Sequence, residues 1–84
     1  MEKETAIIVL NITKRKITVD IEVPLAISAN ELVVALNAGY DLGIDTTNIK
    51  NCYLKAENPI VLLKGNRTLA EFGIRNGSVI NFTE

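Results

Sequence analysis

The stretch "RTLAEFGIRNGSVINFTE", residues 67–84, decides how this chain folds. Thr68 is placed to cap a single helical turn over residues 67–72, and Asn76-Gly77 supplies a tight turn. Residues 78–82 then read as a final strand. A strand arriving so late needs neighbours made earlier in the chain, and the sequence supplies them. In residues 17–23, "ITVDIEV", apolar and polar residues alternate strictly, the period of a strand with one face in the core and one in water. Ala6, Ile8, Leu10 and Ile12 share one parity, so joining Ile12 to Ile17 through "TKRK" predicts an N-terminal hairpin.

Pro24 lacks a backbone N–H and ends the second strand. "ISANEL" then reads as a helix start, with Ser28 as N-cap, Glu31 completing a capping box, and Ile27 and Leu32 at the staple positions. Leu32, Val33, Leu36 and Tyr40 lay one apolar stripe along a helix that ends near Gly39 or just beyond. "DLGIDTTN" reads as a connection. In "NCYLKAE", Cys52, Leu54 and Ala56 point inward and Tyr53, Lys55 and Glu57 outward, giving a third strand. Asn58-Pro59 turns the chain into a short fourth strand, "IVLL", and Lys64-Gly65-Asn66 turns it again. The expectation is one α+β domain over residues 1–84: a mixed five-stranded sheet with one main helix across its concave face.

The chain has 84 residues, and a domain of this size hides only ~60 to 65% of its unfolded surface, so each buried aliphatic matters. Hydrophobic residues make up 48%, mostly aliphatic, with Tyr40, Tyr53, Phe72 and Phe82 as the aromatics. Nine basic and ten acidic residues leave a net charge of −1, which provides no field to hold nucleic acid or an anionic membrane. Apolar runs of at most five residues are far short of the ~20 that span a bilayer. The start, "MEKETAIIVL", has acidic residues where a signal peptide has a basic region, so the expected location is the cytoplasm.

No residue pattern points to catalysis. Cys52 is the one cysteine and histidine is absent, so a thiol nucleophile lacks its usual base and a metal site lacks its usual ligands. Its parity makes Cys52 a small core hydrophobe. Asp41 and Asp45 flank Gly43 but lack the further acidic ligands of a calcium loop. No Ser/His/Asp set, carboxylate pair or phosphate cradle is present, and no cofactor or metal is expected. Sequons at Asn11, Asn66, Asn76 and Asn81 read as chance matches. Lys14-Arg15-Lys16 at the hairpin tip reads either as a docking point for an acidic partner or a phosphate, or as a solvated turn.

The element order, and the closing segment with Leu69 on its helical turn, Ile74 on the next loop and Ile80 and Phe82 on the last strand, resemble ubiquitin over nearly the whole chain. The "GIRNGSVINF" ending, Pro24 after the second strand and the length resemble the YukD-like group that accompanies type VII (WXG-type) secretion. The resemblance implies a ubiquitin-like β-grasp fold and a non-enzymatic, cytoplasmic module that binds a protein of the secretion machinery. Ubiquitin and the β-grasp sulfur carriers use a flexible Gly-Gly tail. Here Thr83 and Glu84 follow Phe82, which is expected to point into the core, so the resemblance implies a protein that is not conjugated.

The alternatives are a sulfur carrier or modifier whose tail is missing, and the cytosolic domain of a larger secretion subunit. The apolar recognition patch of ubiquitin maps near Lys14, Tyr53, Asn81 and Thr83, a mostly polar set. Tyr53, flanked by Lys55 and Val79, is therefore the contact expected on that face, with Lys14 and Arg15 at its margin.

Overall fold

The structure is a computed structural model and describes residues 4–83. The expectations for the acidic start at Glu2 and for Glu84 lie outside those residues. Strand β1 (Thr5–Ile12) pairs antiparallel with β2 (Ile17–Pro24), register Ala6↔Val23 through Ile12↔Ile17. This places Ala6, Ile8, Leu10 and Ile12 on one buried face, as their parity requires. A 3-10 turn, Thr13–Arg15, and a left-handed Lys16 (φ 54°) close the hairpin.

Helix α1 (Ala29–Tyr40) starts at the expected capping box. Glu31 N–H donates to Ser28 Oγ at 3.1 Å, and Ser28 N–H donates to Glu31 Oε1 at 3.2 Å. Together these satisfy two of the orphan donors at the helix start. Ala29, Leu32, Val33 and Leu36 are the buried stripe, while Tyr40 is half-buried. The helix outlasts Gly39 and ends at a left-handed Asp41 (φ 51°), whose N–H returns to the Asn37 carbonyl. Arg15 reaches across from the hairpin tip and donates to the carbonyls of Tyr40 and Asp41, both at 2.6 Å. A cation therefore sits where the helix presents its unpaired C=O groups and the negative end of its dipole.

The chain after α1 departs from expectation. "DLGIDTTN" leads into a 3-10 segment, Thr46–Asn51, kinked at Asn48. Asp45 starts it, accepting from Thr47 N–H at 3.1 Å and from Thr47 Oγ1 at 2.6 Å. Cys52 N–H turns back to the Ile49 carbonyl at 3.0 Å and so cannot join a ladder, which is why β3 is only Leu54–Glu57. Ile60 lies in the turn after the cis Asn58-Pro59 bond and is 89% exposed, leaving β4 as Val61–Leu63.

The helical turn near residue 68 carries its own capping box. Glu71 N–H donates to Thr68 Oγ1 at 3.2 Å, and Thr68 N–H donates to Glu71 Oε1 at 3.2 Å. Gly77, at φ 88°, then supplies the left-handed residue of the last turn, and its N–H donates to the Ile7 carbonyl at 3.0 Å. Strand β5 (Val79–Phe82) is inserted between β1, which it meets in parallel, and β3, which it meets antiparallel. The sheet order is β2-β1-β5-β3-β4.

The core lies between this sheet and α1. Ile8, Leu10, Ile12, Leu63, Leu69 and Ile80 are fully shielded, and Leu36, Leu54, Ala56 and Ile74 are buried with them. Each large aliphatic contributes ~1.5 to 3 kcal/mol through burial. Phe82 is a correction. It shares the inward face with Ile80, but it is only half-buried, packed on the margin of the core at the end of β5.

Candidate functional site

Where β3 begins and β5 ends, the kinked 3-10 segment stands off the sheet and leaves a cleft of about 380 Å3. One wall is the loop, with Ile44, Asp45, Asn48 and Asn51. The other is Tyr53 and Lys55 from the β3 side and Asn81, Phe82 and Thr83 from the end of β5. Cys52 lies at its base, buried, with its S–H directed to the carbonyls of Asp45 (3.4 Å) and Asn48 (3.7 Å). The thiol is held inward as a packing and hydrogen-bonding group. Tyr53 stands on the rim with 49% of its surface exposed.

The five residues expected at a docking surface fall in three places. Tyr53 and Lys55 come together on the cleft. Val79 sits on the same outer face of the sheet but in a neighbouring row, between Val9 and Glu57, and is half-buried. Lys14 and Arg15 are exposed at the hairpin tip, which is tied to the end of β5 by Thr13 Oγ1 donating to the Phe82 carbonyl at 3.3 Å. Arg15 is committed to the helix carbonyls described above.

Between these places the outer face is polar. Thr18 Oγ1 donates to Asn11 Oδ1 (3.4 Å), Asn11 Nδ2 to Asn81 Oδ1 (3.1 Å), and Asn81 Nδ2 to Glu57 Oε2 (3.4 Å). This ladder of cross-strand neighbours occupies the middle of the sheet. Asn11 and Asn81, two of the sequon residues, are thus engaged in side-chain hydrogen bonds. The other two have partners as well: Asn76 Oδ1 accepts from Ile7 N–H at 2.8 Å, and Asn66 Oδ1 accepts from Asn30 Nδ2 at 3.1 Å.

Asp45 on the cleft wall stays ionised to lower pH than an ordinary aspartate, chiefly because the Thr47 hydroxyl, then the Thr47 backbone N–H, donate to its carboxylate. Among the described residues no group of three or more His, Cys, Asp or Glu side chains is placed to hold a metal ion. The cleft's polar groups are amides, hydroxyls, one carboxylate and one ammonium, and its apolar groups are Tyr53, Phe82 and Ile44. That mixture suits a side chain or a peptide segment more than a small charged ligand.

The loop wall was not foreseen from sequence. Asp45-Thr46-Thr47 has the form of an Asx turn, which signals a local cap, but the fold of residues 44–51 against β3 depends on Ile44 and Ile49 packing on the core. Asn37 makes that attachment specific, donating to the Ile44 carbonyl at 3.1 Å and accepting from Ile44 N–H at 2.9 Å.

A mixed sheet with a parallel β1–β5 pair at its centre and one helix across it defines a ubiquitin-like β-grasp protein. The fold is shared with solved ubiquitin-like domains. The C-terminal ubiquitin-like domain of mouse tubulin-specific chaperone e superposes with a TM-score of 0.75 at 10% identity, covering 99% of this chain and 89% of that one. The ubiquitin-like domain of tubulin-binding cofactor B gives a TM-score of 0.76 at 16% identity, covering 99% and 92%. A ubiquitin-like domain from Arabidopsis thaliana gives 0.65 at 17%, covering 92% and 73%. No curated protein matches the sequence.

A family model described as "WXG100 protein secretion system (Wss), protein YukD" matches residues 7–81. The chain belongs to the YukD family, and is a ubiquitin-like protein associated with that secretion system. Among the described residues, no helix is long and apolar enough to cross a membrane.

Proposed function

We propose that this protein works in the cytoplasm by binding, without catalysis and without covalent conjugation, a protein component of the WXG100 secretion machinery. We further propose that the cleft at the ends of β3 and β5 is the contact, with Tyr53 as its anchor, Lys55 beside it, and Lys14, Arg15 and Val79 at its margins. The observation that carries this reading is the half-exposed Tyr53 on the rim of a cleft that sets Ile44 and Phe82 among hydrogen-bonding side chains. Tyrosine in such a setting buries a large ring at little entropic cost and still satisfies its hydroxyl, which is why it recurs at the centres of interfaces. Lys55 on the cleft and Lys14 at the neighbouring hairpin tip offer cationic contacts to an acidic segment, beside the Asp45 carboxylate. Family membership supports the secretion context.

A photo-crosslinking residue placed at position 53 in cells carrying the secretion system tests the reading. The expected result is a covalent adduct with a component of that system. The same residue at position 60, which is more exposed and lies in the turn at the opposite end of β3, is expected to give none. Equal crosslinking from both positions, or none from position 53, contradicts the proposed contact.

A further inference from the structure

The sheet has two open edges, and they are unlike. β4 is three residues long and follows the Asn58-Pro59 turn, whereas β2 runs for eight residues with nothing paired outside it among the described residues. The hydrogen-bond phase of the hairpin sets which backbone groups β2 shows to solvent. Leu25 N–H donates to the Glu4 carbonyl (3.0 Å), and Val9 N–H points the other way, to Ser78 of the adjoining strand (2.9 Å). In an antiparallel ladder the bonded pairs alternate, so Val23, Ile21, Val19 and Ile17 bond to β1. Thr18, Asp20 and Glu22 therefore direct their N–H and C=O groups outward. Three consecutive outward residues with no proline among them present a complete pairing site, and Pro24 bounds it at one end.

The side chains specify what can pair there. On the helix side of β2, Ile17, Val19 and Ile21 are only partly buried, packed against the core but open along the strand's free edge. On the outer face the same strand shows Thr18, Asp20 and Glu22, all exposed; Glu22 accepts from Thr5 Oγ1 at 2.7 Å, and neither acid forms an ion pair among the described residues. A second copy pairing antiparallel about Asp20 sets Asp20 opposite Asp20, a like-charge contact that disfavours self-association. A strand with basic residues at the facing outer positions and apolar residues between them meets opposite charge on one face and covers Ile17, Val19 and Ile21 on the other.

We infer that β2 is a strand-addition site for an extended segment of a partner protein in which Lys or Arg alternates with aliphatic residues. This site is independent of the Tyr53 cleft: it lies along the free edge of β2, with β1 between it and the β5 and β3 strands of the cleft, recognises mainly through backbone hydrogen bonds, and has the opposite charge preference.

Titration of the 15N-labelled protein with the capped peptide Lys-Val-Lys-Val-Lys-Val tests it. The expected result is amide shifts centred on residues 17–23, with hydrogen exchange at Thr18, Asp20 and Glu22 slowed at least tenfold by the peptide. In the free protein these three amides exchange faster than those of Val19 and Ile21, an internal check of the register. The Asp20→Lys and Glu22→Lys double variant, altered only at exposed positions and checked for native circular dichroism, is expected to lose at least tenfold in affinity and to gain affinity for Glu-Val-Glu-Val-Glu-Val. Peptide methylated at the backbone nitrogens that face β2 is expected not to bind. Shifts centred elsewhere, equal binding of the methylated peptide, no binding of the basic peptide, or concentration-dependent dimerisation through β2 each overturn the inference.

Discussion

Ser78 shows how a single residue closes the β-grasp. It is fully buried, its hydroxyl donates to the Asn58 carbonyl, and it accepts from Arg75 N–H at 3.0 Å, so one side chain joins the turn before β4 to the turn before β5. Ser78→Ala removes both bonds and is expected to cost ~1 to 3 kcal/mol, read as a lower denaturant midpoint with an unchanged slope. Nothing in the sequence marks Ser78 as more than a strand residue, because its partners are set by tertiary contact. Phe82 shows the converse. Its parity was legible, but its depth was not, since parity assigns a face and the end of a strand lies at the sheet margin. Phe82→Ala is accordingly expected to cost about 1.5 to 2.5 kcal/mol, roughly half the figure for a fully buried ring. A loss above 4 kcal/mol in chemical denaturation contradicts the half-buried position.

The elements divide by the range of the interactions that make them. The hairpin and α1 rest on period and caps, both local in sequence, and they form as read from residues 6–40. The 3-10 segment after α1 rests on Asp45 capping and on Ile49 reaching the core, and a short polar stretch carries no period to announce it. Two of these capping acids tie stability to pH. Thr68 backbone and side-chain donors, foremost, and Arg67 to a small extent, hold Glu71 ionised below the usual glutamate range, as Thr47 does for Asp45.

For a carboxylate with a lowered folded-state pKa, the added stability is present above the unfolded-state value and is lost as pH falls through the folded-state value. Glu71→Gln and Asp45→Asn are therefore expected to be less stable than the parent at neutral pH and to converge with it in acid, as thermal melts across pH record. A difference that grows on acidification contradicts the assigned hydrogen bonds. Arg15→Ala, which strips two donors from the end of α1, is expected to cost ~0.5 to 1.5 kcal/mol, with the loss of protection in amide exchange concentrated in the last turn of the helix.

At the scale of the molecule, one aliphatic core holds a sheet that serves as a platform with two different rims. Leu36→Ala and Ile74→Ala each empty a buried site in that core, and each is expected to cost ~2 to 5 kcal/mol, a large share of the ~5 to 10 kcal/mol a domain of this size commands. The central claim is that function resides at the Tyr53 cleft. The outward parity of Tyr53 and Lys55 was legible in the sequence, whereas the loop wall that turns a flat face into a cleft was not. The most direct test is export of a WXG100 protein by cells carrying Tyr53→Ala or Ile60→Ala at native level, each variant verified as folded. The account predicts that Tyr53→Ala lowers export at least several-fold while Ile60→Ala leaves it unchanged, since truncating a buried aromatic anchor weakens a complex by ~2 kcal/mol or more. Export at the parental level from folded, normally abundant Tyr53→Ala protein contradicts it.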